Sequence, residues 1–193
     1  MTLRVLLVDE STERAELLKE TLAQLGYQVV KSVKPGEDLV KEMASAAPDI
    51  VIIDMESPSR DVLEDVQTIG REYRKPVVLF AHDGDEAMIR AAVRAGVSAY
   101  VVDGLASRSV KPILDVAIAR FQQYQALQDE LKEAKATLAD RKVIERAKGI
   151  LMKRNQCGEE EAYQALRKLA MSNNQRLVEV AEKVVEVAGL FRS

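Results

Sequence analysis

Ile50-Val-Ile-Ile-Asp54 is a run of four branched apolar residues closed by a single acid. A run this short, continuous rather than alternating, suits a strand covered on both faces, which is the condition of strands in a parallel sheet. Working outward, residues 3–8, 28–31, 77–80 and 99–102 also read as strands, and 3–8 and 77–80 repeat the continuous apolar pattern. Between them lie stretches of helical period at 14–25, 37–46, 61–73 and 86–95, punctuated by Gly26, Pro48 and Gly96. Five strand–helix units in succession specify an α/β fold, a five-stranded doubly wound parallel sheet with right-handed crossovers. In such a sheet the carboxyl ends of the strands form the ligand crevice.

After Pro112 the pattern changes. No strand, proline or glycine interrupts residues 113–148, and Tyr124, Leu127, Leu131, Ala134 and Leu138 step by three and four. A helix of roughly 40 residues is about 60 Å long and needs its apolar stripe paired. A two-stranded coiled coil, hence a homodimer, is the simplest partner; packing on the chain's own domains is the alternative. Asn155-Gln-Cys-Gly158 breaks this helix, and Glu159-Glu160-Glu161 opens another with three acids where the helix dipole favours them. Ser172-Asn-Asn174 breaks the chain again, and Leu177, Val180, Ala181, Val184 and Ala188 give a third helix its apolar face. The expected domains are therefore 1–120, a coiled-coil linker helix 113–140, and a small all-α three-helix unit 135–193.

The 193 residues, 47% hydrophobic, suffice for one ordinary domain and a smaller appendage. No apolar stretch reaches about 18 residues and the N-terminus lacks signal-peptide features, so no membrane association and a cytoplasmic location are expected. Cys157 and His82 are the only residues of their kinds, which excludes an intrachain disulfide, thiolate or histidine-cluster metal sites, and most nucleophile–histidine dyads. Cys157 reads as a small loop residue and His82 as a solvent-facing one. Residues 141–193 hold eleven Lys and Arg against seven Asp and Glu, a charge of +4, which leaves −7 for residues 1–140 within the total of −3. A basic tail on an acidic body hints at a polyanion, although basic runs are also ordinary solvated faces.

Asp9 and Glu10 follow the first strand and Asp54 closes the third. At the crevice three carboxylates would attract Mg²⁺, and Asp54 is a candidate phosphoacceptor. With this arrangement residues 3 to about 120 resemble a response-regulator receiver domain of flavodoxin-like topology. The resemblance implies a Thr or Ser after the fourth strand and a Lys after the fifth, where this chain has Ala81 and Asp103. Asp103 would add negative charge where a dianion must be accepted. A degenerate receiver whose input is a binding partner is the expectation, and phosphorylation at Asp54 the alternative. Asp9, Glu10 and Asp54 can still hold Mg²⁺ or stand as polar strand ends, so no cofactor is required.

The stretch Arg141-Lys-Val-Ile-Glu-Arg-Ala-Lys-Gly-Ile-Leu-Met-Lys-Arg154, with Glu159-Glu-Glu-Ala-Tyr163 and Leu166-Arg-Lys-Leu-Ala-Met171, resembles the ANTAR RNA-binding domain. Adding Asp54-Met-Glu-Ser-Pro-Ser-Arg-Asp61 and Gly96-Val-Ser-Ala-Tyr100, the chain is similar to the AmiR/NasT family of antiterminators. It lies nearer to its NasT-type nitrate/nitrite regulators than to its amidase regulators. The exposed candidates for RNA contact are Arg146, Lys148, Lys153, Arg154, Tyr163, Arg167 and Lys168, as cations for phosphates and planes for stacking on unpaired bases. Met152, Ala162, Leu166, Ala170 and Met171 read as core. Gly149, costing about 1 kcal/mol in a helix interior, is read as a point of close helix packing, with approach of a nucleotide as the alternative.

The resemblance implies a transcription antiterminator rather than an enzyme. It would bind paired hairpins of a leader mRNA as a dimer, exclude the terminator, and be sequestered by a nitrate/nitrite-sensing protein until ligand arrives. DNA is disfavoured because the second helix of the tail opens with three glutamates. Two rivals remain, a phosphorylation-dependent regulator using the same RNA tail and a protein-interaction adaptor that binds no RNA.

Overall fold

The computed structural model describes residues 2–102 and 110–190, without the side chain of Leu190. Asp103 lies outside the described residues. The chain divides into two compact units, Met1–Ala126 and Leu127–Ser193.

The first unit is a five-stranded parallel sheet of β1 (Leu3–Asp9), β2 (Tyr27–Val33), β3 (Ile50–Met55), β4 (Val77–Ala81) and β5 (Ala99–Val102), in the order β2-β1-β3-β4-β5. The helices between are α1 (Thr12–Gln24), α2 (Leu39–Ala46), α3 (Arg60–Thr68) and α4 (Glu86–Ala95). The pleat sends alternate residues to opposite faces, and two cores result. Val5, Leu7, Ile50, Ile52, Val78 and Phe80 pack with Leu18 and Leu22 of α1 and with Leu114 and Ala117. Leu6, Val8, Val51, Ile53, Val77 and Leu79 pack with Met43 of α2 and with Val62 and Val66 of α3. Each large apolar side chain so buried contributes about 1.5–3 kcal/mol relative to exposure. Gly26 and Gly96 take φ of 86° and 96° just beyond α1 and α4, the left-handed conformation that lets the chain leave a helix without a Cβ clash.

Three local expectations are revised. β2 runs to Val33, longer than the apolar count suggests, because it is an edge strand whose Gln28 and Lys31 face solvent while Tyr27 and Val33 are buried. Residues 61–73 are not one α-helix: α3 stops at Thr68 and Ile69–Tyr73 form a π-helical turn. The long helix α5 (Val110–Asn155) starts ahead of Pro112, which occupies the first turn where its missing N–H has no helical partner to lose.

The second unit holds the later part of α5 with α6 (Glu159–Ser172) and α7 (Leu177–Leu190). Its core is small: Ala147, Leu166, Ala170, Val180 and Ala181, with Val143, Ile144, Leu151, Leu177, Val184 and Val185 half-buried around them. Gly158 opens α6, its N–H donating to the Glu161 carboxylate at 3.1 Å. The Cys157 thiol, in the break, lies 3.8 Å from the Leu151 carbonyl.

Candidate functional site

In the first unit the pleat decides which acids meet. Asp9 continues the face of Val5 and Leu7, Asp54 that of Ile50 and Ile52, and the two are register partners across β1 and β3. Both are buried, whereas Glu10, the next residue along, is exposed. Ala81, fully buried, ends β4 and presents a methyl group. His82 is exposed, and the Tyr100 hydroxyl donates to the Asp83 carbonyl at 2.7 Å, tying β5 to the loop after β4.

The group that organises this pocket is Arg14, which the sequence reading passed over. Ser11 caps α1, its Oγ accepting from the Arg14 N–H at 3.3 Å while its own N–H donates to Asp9 Oδ1 at 2.7 Å. That turn carries the Arg14 guanidinium to both carboxylates. Nε and Nη2 donate to Asp9 Oδ1 at 3.2 and 3.1 Å, and Nε stands 3.1 Å from Asp54 Oδ2. The contact with Asp54 is ionic only: Nε–H is aimed at Asp9, so among the described residues neither Asp54 oxygen receives a hydrogen bond. Burial pushes the Asp54 carboxyl above its ordinary value, opposed by the Arg14 charge and aided by Asp9. Hydrogen bonding to Asp9 raises Arg14, which keeps it a permanent cation.

The expected Mg²⁺ site of Asp9, Glu10 and Asp54 is not assembled. Mg²⁺ demands about six oxygens at 2.0–2.1 Å, but a guanidinium lies between the two buried acids and the third acid is exposed. Among the described residues no group of three or more His, Cys, Asp or Glu is placed to hold a metal ion. The residues as arranged do not fit the ion.

In the second unit Arg146, Lys153, Arg154, Arg167 and Lys168 are exposed and Tyr163 is half-buried. Lys148 is not the surface cation its helix position suggested. Its side chain is only 9% exposed, and Nζ donates to Glu159 Oε1 at 2.6 Å and forms an ion pair with Glu145 Oε1 at 2.7 Å. These bonds raise the amine and hold the Glu159 carboxyl below its ordinary 4.5. Met171, read as core, is 71% exposed, and Met152 is half-buried. Close packing does not explain Gly149: a Cβ built there meets nothing within 4 Å. Next to it, Ile150, Leu151, Leu169, Val184 and Val187 line an open groove of about 240 Å³, which Arg154 and Lys183 also line. Lys183, on α7, also donates to Gln175 Oε1 at 2.9 Å, and the apolar spacing of α7 does not single it out.

Residues 5–111 match the response regulator receiver domain, and residues 132–185 match the ANTAR domain. The chain belongs to the response regulators and carries an ANTAR domain. This receiver–ANTAR regulator is 29% identical over 186 residues to transcriptional regulatory protein PdtaR of Mycobacterium tuberculosis, spanning 96% of this chain and 91% of that protein. Over 90 residues it is 41% identical to the nitrate regulatory protein of Klebsiella oxytoca, 47% of this chain and 23% of that one. The receiver fold recurs in the signal receiver domain of a modulated diguanylate cyclase from Desulfovibrio desulfuricans. There the TM-score is 0.56 at 22% identity, over 64% of this chain and 99% of that chain, a likeness of fold alone. Both matched domains are regulatory, so the chain is a regulator and not an enzyme. Among the described residues no helix is long and apolar enough to cross a membrane.

Proposed function

We propose that the regulator is an RNA-binding antiterminator: its ANTAR unit reads the loops of paired hairpins in a leader mRNA, and holding those hairpins prevents the terminator from forming. The observation that carries this reading is the coincidence of the ANTAR match with a helical unit that exposes Arg146, Lys153, Arg154, Arg167 and Lys168. Phosphates supply affinity through such cations, and unpaired bases supply specificity through stacking and edge contacts. Lys148 leaves the contact set, and Lys183 joins it beside Arg154 at the apolar groove. The RNA shifts between two structures by as much as the protein's affinities for them differ.

Two copies act together. Tyr124, Leu127, Leu131 and Leu138 step by three, four and seven and are 47–57% exposed in the single chain, the pattern of a coiled-coil seam. One dimer then engages both hairpins. By analogy with the Klebsiella relative, a nitrate regulatory protein, the regulated transcripts serve nitrate or nitrite assimilation; in this scheme a nitrate/nitrite-sensing protein sequesters the regulator in the cytoplasm until its ligand arrives. Arg167→Ala tests the interface: the slope of log affinity against log salt should shrink by about 0.7–0.9 for one lost phosphate contact. An unchanged slope and affinity would remove Arg167 from the interface. Addition of the purified sensor should lower RNA affinity in the absence of nitrate and nitrite; unaltered affinity would end the sequestration scheme.

A further inference from the structure

We propose that Arg14 is the built-in cation of the receiver pocket, an autoinhibitory contact that excludes divalent metal from Asp9 and Asp54. Nε lies within 3.1–3.3 Å of oxygens from both carboxylates, so it stands where an ion bridging the two would have to lie. A guanidinium is large, planar and protonated at every accessible pH, and two cationic centres cannot share that space. Charge points the same way. Two carboxylates and one guanidinium leave the pocket at −1, so a divalent ion added without displacing Arg14 would make it +1 in a largely dry site, where like charges repel strongly.

The device is set by the fold and not by a chance rotamer. Asp9 fixes the start of α1 by accepting from the Ser11 N–H, and Ser11 caps the helix through the Arg14 N–H. The carboxylate that needs a counter-ion therefore also positions the helix turn that delivers it. Arg14 remains 33% exposed, which leaves its guanidinium a route outward. Asp54, 1% exposed and without a hydrogen bond among the described residues, has an ion-pair partner in place but no donor aimed at it. Removing Arg14 would leave two buried acids next to each other, the condition under which a divalent cation binds in its place. The inference concerns the receiver alone and is independent of RNA binding.

The test is a Mg²⁺ titration of the full-length chain followed by amide NMR shifts at Asp9 and Asp54, with Mn²⁺ line broadening as a second probe. Wild type and Arg14→Lys should show no saturable shifts to tens of millimolar Mg²⁺. Arg14→Gln, which keeps the side-chain length without the charge, should bind at least tenfold more tightly. Equal binding by wild type and Arg14→Gln would overturn the proposal, and so would no binding by either. Should Arg14→Gln fail to fold, the wild-type Arg14 Nε–H resonance decides. It should be protected from exchange and unmoved by Mg²⁺, and its loss on adding the ion would refute the exclusion.

Discussion

Lys148 sits in α5, and one of the two carboxylates that hold it, Glu159, opens α6 beyond the break at residues 156–158. Counting positions along one helix cannot reveal such a partner, which is why Lys148 looked like a phosphate contact. Lys148→Met should therefore lower the melting temperature of the ANTAR unit while leaving the salt slope of RNA binding unchanged, as thermal denaturation and fluorescence titration would show. The pH dependence follows. Because the folded Glu159 value lies below 4.5, its contribution is complete above that pH and is lost as pH falls through the folded value. Glu179, held down by Arg176, acts in the same sense. Wild type should lose stability more steeply than Lys148→Met on acidification below pH 4.5; parallel curves would mean the pair contributes nothing. At Gly149 open space surrounds the missing Cβ, so Gly149→Ala should stabilise the helix by about 1 kcal/mol. If a nucleotide approaches there, the same variant binds RNA less well despite its higher stability.

Whole elements were the most legible level of the sequence. Continuous apolar runs marked β1, β3 and β4 because burial on both faces removes the polar alternation, and Gly26 and Gly96 marked helix ends because both need positive φ. Residues 69–73 misled because a π-turn keeps helical composition while changing its hydrogen bonds. In the C-terminal unit Ala162, Leu166 and Ala170 are buried, whereas Met171 lies one residue beyond their stripe and points outward. A core centred on so few residues has little reserve: Leu166→Ala should cost about 2–5 kcal/mol. Urea unfolding should then show the ANTAR unit lost before the receiver, and coincident transitions would contradict independent stability of the two. For α5, Leu127→Lys with Leu131→Lys should turn the proposed coiled-coil dimer into a monomer by sedimentation without lowering receiver stability. A wild-type chain already monomeric at high concentration would remove the coiled coil from the account.

At the scale of the whole molecule, the charge changes sign at residue 140, within the first part of the ANTAR match at 132–185 and well beyond the receiver match at 5–111. The acids at the strand ends were legible as a pocket, because strand ends converge in a parallel sheet. Its counter-ion was not: Arg14 is five residues from Asp9, and only the capped turn at Ser11 brings it back. The central claim, that the tail reads RNA loops, is tested most directly by the affinity of the purified full-length chain for a two-hairpin leader RNA and for the same RNA with scrambled loops, across a salt series. The account predicts loop-dependent binding that weakens linearly in log salt and falls with Arg167→Ala; equal, weak binding to both RNAs would contradict it.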